Sequence, residues 1–346
     1  MVSLRHLGFE GKRMKAVGSA IRGWIGRGAA LAMLGVLVTA CANAPVIPPA
    51  DQPLSKDALM LLGKKGMTAE APIYIRIFKE ESELEVWKQR DDGRFYHFKT
   101  YPICNWSGDL GPKLRQGDRQ APEGFYTITA SQLNPHSNYH LAFNIGFPNS
   151  YDKVWSRTGD NLMIHGQCRS AGCYAMTDAL IEEVYALGRD AIKAGQASFR
   201  ADAFPFRMTD SNMARHAQSP WRPFWATLKE GYDHFEATRM PAEVVVCERK
   251  YVVNVKAPQS SRIDPERQCP ALEHPVVAPF VPKAGEQQVA EERIMSAGPK
   301  TRDVASIGQG MGVTMGAGLN SAGFGAPGTN PASGINSMMG FSQLPK

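Results

Sequence analysis

The stretch Leu162-Met163-Ile164-His165-Gly166-Gln167-Cys168-Arg169-Ser170-Ala171-Gly172-Cys173-Tyr174-Ala175-Met176-Thr177-Asp178 carries a strand, a glycine turn, two cysteines and a helix start in one short segment. Leu162 to Ile164 reads as a strand that delivers His165 to the turn at Gly166. Gly172 lets the backbone turn tightly before Cys173. Thr177 is a plausible N-cap for a helix whose apolar face is Ile181, Val184, Tyr185, Gly188 and Ile192, with Gly195 as its stop. A thiol near a helix start and an imidazole suits a nucleophile, because the helix dipole and a protonated His165 would both favour a thiolate. The amides of Gly172 and Cys173 would serve a tetrahedral oxyanion. The residues alone therefore give a Cys/His acyl-transfer candidate. Three alternatives stand beside it. Cys168 could be the nucleophile, His165, Cys168 and Cys173 could hold zinc but lack a fourth nearby ligand, and Cys168 with Cys173 could be a redox pair without Cys-x-x-Cys spacing.

Outward from this stretch the pattern is mainly that of strands. Ile73, Ile75 and Ile77 alternate with Tyr74, Arg76 and Phe78, and Phe95–Thr100, Phe125–Thr129 and His140–Ile145 follow, separated by Gly, Asp, Asn and Pro clusters. A second, weaker helix is expected over Arg222 to Phe235, and strand character returns over Glu243–Val255. Ala42 to Pro53 is rich in Ala and Pro and reads as a tether, with one short helix possible over 54–66. After residue 256 proline-rich and then glycine-rich sequence predicts disorder over 257–346; no Lys, Arg, Asp or Glu occurs from Val304 to Pro345.

The 346 residues are 43% hydrophobic and 21% charged, which suits a globular chain and excludes fibrous and polytopic membrane classes. The formal charge of +6 sits almost wholly in the first forty residues, which hold six basic side chains against the single acid Glu10. The body from Cys41 onward is close to neutral, which argues against a nucleic-acid partner. A basic stretch, Lys12 to Arg27, precedes the apolar run Ala29 to Val38, too short to span a bilayer core of roughly 30 Å. Residues 1–40 are thus expected to be an export signal. Val38-Thr39-Ala40-Cys41 resembles a bacterial lipobox, with Cys41 lipidated, and residues 41–68 form the lipidated N-terminus and tether. The implied location is the cell envelope or periplasm, at the outer membrane by resemblance to diderm lipoproteins.

Ile164-His165-Gly166 and Ser170-Ala171-Gly172-Cys173 resemble the signature of the YkuD-type L,D-transpeptidases of bacterial peptidoglycan. The likeness extends to Gly108-Asp109-Leu110-Gly111-Pro112-Lys113, Gly117-Asp118, Ala121-Pro122-Glu123-Gly124-Phe125-Tyr126, Phe143 to Asn149 and Arg157-Thr158-Gly159, as in the YafK-like murein branch. It covers roughly residues 70–256, and the catalytic domain is set at 69–256. The resemblance implies an α+β fold, a β-sandwich of mixed sheets with one packed active-site helix. It makes Cys173 the nucleophile, His165 the base, Gly172 and Cys173 the oxyanion amides, and Ser170 and Gly166 the loop formers. It implies no metal or cofactor. The substrate would be peptidoglycan stem peptides, attacked at the L-centre of the third residue. The acyl-enzyme would pass to an amine, to water or, in relatives, to a linkage with an outer-membrane protein. Two positions depart from the commonest signature: Ala171 stands where a second His is frequent, and Ala175 where Arg is usual.

Lys113, Arg157 and Arg169 are candidate contacts to stem-peptide carboxylates, and Glu123 and Asn144 are carried as further candidates, with turn or lid geometry as their alternative. Trp106, Tyr126, Tyr139 and Tyr151 could line a peptide groove or the core. Setting aside Cys41 and Cys173 leaves Cys104, Cys168, Cys247 and Cys269, whose three possible pairings sequence does not distinguish. A non-catalytic, peptidoglycan-binding lipoprotein is the contrasting class.

Overall fold

A computed structural model describes residues 46–258 and 263–282. The expected signal over 1–40, lipidation at Cys41 and the tail after residue 282 lie outside the described residues. The order of elements is α1 (Lys56–Lys64), β1 (Ile73–Phe78), β2 (Glu83–Gln89), β3 (Phe95–Pro102), β4 (Asn105–Trp106), β5 (Gly124–Thr129), β6 (Leu133–Ser137), β7 (His140–Asn144), α2 (Ser150–Val154), β8 (Met163–His165), β9 (Tyr174–Ala175), α3 (Asp178–Lys193), β10 (Ser198–Phe204), α4 (Asp210–Arg215), α5 (Arg222–Thr238), β11 (Val244–Cys247) and β12 (Lys250–Val253).

Two five-stranded sheets result, ordered β3-β2-β1-β10-β5 and β4-β9-β8-β7-β6, with β11 and β12 as a separate hairpin. Each five-stranded sheet is antiparallel except at one pairing, β1 with β10 and β8 with β9. The alternation in β1 explains the layering. Ile73, Ile75 and Ile77 enter the main core with Leu84, Val86, Phe143, Ile164 and Tyr174. Tyr74 packs instead with Trp87 and Phe235, and Phe78 with Phe204, Trp225 and Tyr232. Every residue of β1 is buried, so the strand is covered on both faces. α3 lays Ile181, Val184, Leu187 and Ala191 into the main core. The α+β architecture of mixed sheets is as expected. The second helix expected over Arg222 to Phe235 is α5, which covers the other face of the first sheet with Phe224, Trp225, Leu228, Tyr232 and Phe235.

That second interface is charged as well as aromatic. Arg76 is fully buried, bonded to Glu236 at 2.7 Å and lying 3.4 Å from Glu85, with its guanidinium about 5 Å from the rings of Phe78, Tyr232 and Phe235. Glu85 also accepts from Trp87 Nε1 at 2.8 Å and from Arg207 Nη1 at 2.7 Å.

Both expected ends of the domain shift. The Ala/Pro-rich stretch does not run free as far as Pro53. Pro49–Asp51 form a 3-10 turn, Arg189 Nη1 donates to Ala50 O at 2.6 Å and Gln52 O at 2.9 Å, and Leu54, Leu62 and Met67 join the main core. At the other end, the expected boundary at 256 falls short. Cys247 is disulfide-bonded to Cys269, Lys256 pairs with Glu273, and Phe280 donates its amide to Ala237 O at 2.7 Å and packs against Tyr96. The expected disorder from residue 257 therefore does not begin there: a disulfide and the Phe280 side chain fasten this proline-rich stretch to the domain.

Glu85→Ala would take one of two carboxylate partners from each of Arg76 and Arg207, leaving Glu236 and Glu83 in place. It is expected to cost about 2–3 kcal/mol, read as a lowered urea midpoint, whereas a loss under about 1 kcal/mol would put this cluster in solvent.

Candidate active site

Parallel pairing of β8 with β9 sets Ile164 opposite Tyr174 and His165 opposite Ala175. Side chains alternate along a strand, so Cys173, two residues before Ala175, falls on the same face as His165. Residues 166–173 make the crossover, and their backbone is closely tied. Gly166 N donates to Tyr139 O at 3.0 Å, Gln167 N to Asp178 Oδ1 at 2.8 Å, and Cys168 N to Met176 O at 3.1 Å. A Cβ on Gly166 would stand 2.5 Å from Asp178 Oδ1 and 3.0 Å from Tyr139 O, so only glycine fits there. Gly172 has φ +131°, a conformation that side-chain-bearing residues avoid.

Ser170 ties the loop: its Oγ donates to Cys173 O at 2.7 Å and accepts from Gly172 N at 3.2 Å. The Gly172 amide is committed to Ser170, so of the two expected oxyanion donors it is not free to serve.

Cys168 is bonded to Cys104, and Cys247 to Cys269, which settles the pairing. Cys173 is the one free cysteine among the described residues. With its sulfur occupied, Cys168 is removed as nucleophile, as zinc ligand and as redox partner of Cys173.

His165 is buried, and its Nδ1 lies 2.7 Å from Gly166 O. A carbonyl only accepts, so Nδ1 carries the proton and Nε2 is left as the basic nitrogen. Tyr139, 45% exposed, sets its ring 4.7 Å from the imidazole. The Cys173 thiol donates to Asn161 O at 3.6 Å. Burial pushes the thiol above its usual 9.0, against smaller opposing effects of the Met163 amide and the Lys113 ammonium. Burial also lowers His165 below 6.5, the hydrogen bond to Gly166 working the other way. Burial thus disfavours both the expected thiolate at a helix start and a protonated His165. β9 separates Cys173 from α3, and burial dominates.

Cys173 and His165 open on a cleft of about 380 Å³ lined also by Lys113, Tyr139, Asp160, Asn161, Arg169 and Ser170. Lys113 and Arg169 are thus brought to the site, and Tyr139 is the one candidate aromatic that reaches it. The other candidates are structural. Glu123 is fully buried, accepting from Lys79 Nζ at 3.0 Å, Gly111 N at 2.7 Å and Trp225 Nε1 at 2.8 Å. Arg157 is buried against Asp152 at 2.8 Å and over the Tyr151 and Phe224 rings. Asn144 Oδ1 accepts from Gly146 N at 2.9 Å, closing a turn. Trp106, Tyr126 and Tyr151 belong to the cores. Asn161 and Asp160 were not anticipated; the only hint in the sequence is their place after the turn residue Gly159.

Alkylation of Cys173 by iodoacetamide tracks the thiolate. Its rate is expected to keep rising past pH 9.0. A plateau near neutrality would show a thiolate–imidazolium pair instead.

Residues 72–193 match the L,D-transpeptidase catalytic domain family YkuD. The chain is 48% identical over 184 residues to the protein named "Putative L,D-transpeptidase YafK" of Escherichia coli strain K12, and equally to the protein of the same name from Escherichia coli O157:H7. The match covers 53% of this chain and 74% of each relative. Among solved structures, a point variant of the helical cell shape determining protein Pgp2 from Campylobacter jejuni aligns at 20% identity with a TM-score of 0.32, over 53% of this chain and 66% of that one. With nearly half of the residues shared across three quarters of YafK, this chain belongs to the YkuD family of L,D-transpeptidase catalytic domains.

Proposed function

We propose that the chain is an exported murein L,D-transpeptidase that works through a thioester on Cys173. One observation supports this most. The one free thiol among the described residues shares a strand-pair face and a cleft with an imidazole whose Nδ1–H is held by Gly166 O. The substrate would be a stem peptide of peptidoglycan, opened at the L-centre of its third residue.

The sulfur attacks the carbonyl carbon as His165 Nε2 takes the thiol proton. The carbonyl oxygen carries the resulting charge until the C–N bond breaks. The departing amine then receives the proton from the imidazolium. An acceptor amine attacks the thioester in the same way, giving up a proton to Nε2 and regenerating the thiol. Neutral His165 is the form this chemistry requires, and its lowered pKa keeps it so at neutral pH.

Water in place of the amine gives a hydrolytic enzyme that releases a linked peptide or protein. Ala175 favours giving this second reading weight. It is fully buried in β9 at the position of the signature arginine, so no guanidinium there orients an acceptor carboxylate. Export and lipidation at Cys41 rest on the sequence. Residues 42–48 would then be the spacer between lipid and packed chain, at most about 25 Å when extended.

Two experiments test this. A carbapenem should add its mass to wild type and not to Cys173→Ser, and an unmodified wild type would indicate a binding protein instead. With muropeptides, new direct cross-links are expected; a net loss of cross-links or of protein-linked stems would establish the hydrolytic variant.

A further inference from the structure

Lys113 lines the cleft, yet its side chain is only 4% exposed. Its ammonium donates to Arg115 O at 3.0 Å and to Asp118 Oδ1. Asp118 is in turn held by the amides of Leu114 and Arg115 on one oxygen and of Gln120 on the other, at 2.9–3.0 Å. Burial opposes ionisation of that carboxyl. The Arg115 amide, the Lys113 ammonium and the other amides outweigh it and hold the pKa below its ordinary value, so the partner charge is secure. An ammonium has three donors, and no third acceptor meets Lys113 among the described residues. The lysine stem passes Gly159 so closely that a Cβ there would be 2.6 Å from Lys113 Cε. Meanwhile the Gly172 amide, which an oxyanion would otherwise use, is spent on Ser170 Oγ.

We propose that Lys113 is a catalytic residue, aimed by Asp118 so that its remaining N–H meets the carbonyl oxygen under attack by Cys173. This rests on Cys173 being the nucleophile. The hydrogen bond stabilises the charge on oxygen while the S–C bond forms, and Lys113 keeps its proton throughout; the proton passed to the leaving amine is the one His165 took from sulfur. The same charge acts on the thiol before reaction. His165, Tyr139, Asp160 and Arg169 line the same cleft as the sulfur, and Lys113 with Asp118 comes from the loop between β4 and β5. Of these, Lys113 works against burial to favour the thiolate.

The test uses the full chain with Lys113→Met, Lys113→Gln and Lys113→Arg. Lys113→Gln keeps a hydrogen bond to Asp118 without the charge and serves if the methionine variant does not fold. Two quantities are read: the pH profile of iodoacetamide alkylation at Cys173, and the saturation curve of carbapenem acylation. Loss of the charge should raise the apparent thiol pKa by about one unit, slowing alkylation at pH 8 about tenfold. The maximal acylation rate should fall about a hundredfold with little change in the half-saturating drug concentration, and arginine should restore most of the thiol shift. An unchanged thiol profile and maximal rate would overturn the proposal. So would a rise in the half-saturating concentration alone, which would make Lys113 a substrate anchor. If no carbapenem acylates the wild type while the alkylation shift persists, the proposed function fails and the effect of Lys113 on the thiol stands.

Discussion

Everything at the site depends on the register of β8 against β9. With His165 opposite Ala175, the thiol two residues earlier faces the imidazole's side of the sheet. A slip of one residue would carry it to the opposite face, among the core side chains of α3. Nothing in the two side chains prevents such a slip, because no hydrogen bond joins them. The main chain does. Met176 N donates to His165 O at 2.7 Å, Cys104 N to Ala175 O at 3.0 Å, and the Cys104–Cys168 disulfide ties the crossover loop to the segment beside β4. The pair is held by backbone geometry on both flanks, leaving the thiol and imidazole unbonded to each other and facing the cleft.

The loop between β4 and β5 frames the other wall, and buried charge fixes it. Lys79 Nζ, just after β1, shares its three N–H groups among Asp109 O, Gly111 O, Ala121 O and Glu123 Oε1, all within 3.0 Å. A buried ion pair adds little net stability over an apolar pair, but breaking it is costly, so it enforces one arrangement. Glu123 and Arg157 sit in segments that resemble the approach to a family active site, and their place there is explained by this positioning and not by contact with substrate. Lys113, by contrast, owes its position to Asp118, five residues away in the same loop.

What could be read in the sequence follows the range of each interaction. β1, β5, β7, β8 and α3 show in local periodicity because one face of each meets the apolar core. β2 was missed: Glu83-Leu84-Glu85-Val86-Trp87-Lys88-Gln89 looks solvated, yet Glu85 answers Arg76 and Arg207, which come from β1 and from beyond β10. The Pro49–Pro53 segment was read as free for the same reason, since its anchor, Arg189, lies far along the chain in α3. At the site, His165 and Cys173 were legible because one strand, one loop and one strand in succession carry both. The disulfide pairing, Asn161 beneath the thiol and the Lys113–Asp118 pair were not, because each depends on a loop whose course only the folded chain defines.

The same reach of burial explains the ionisation state. Desolvation disfavours charge on either partner, so it moves thiol and imidazole apart, one up and the other down. A resting ion pair would need these shifts reversed. In the proposed mechanism the thiolate would form instead as the proton crosses to Nε2 with a carbonyl in place, and electrostatic help would be directed at the oxygen where charge appears. This has a chemical consequence for the loop itself. Thiolate, not thiol, attacks disulfides, and the Cys104–Cys168 bond lies in the loop that ends at Cys173. Burial that disfavours the Cys173 thiolate therefore also slows any exchange with that bond.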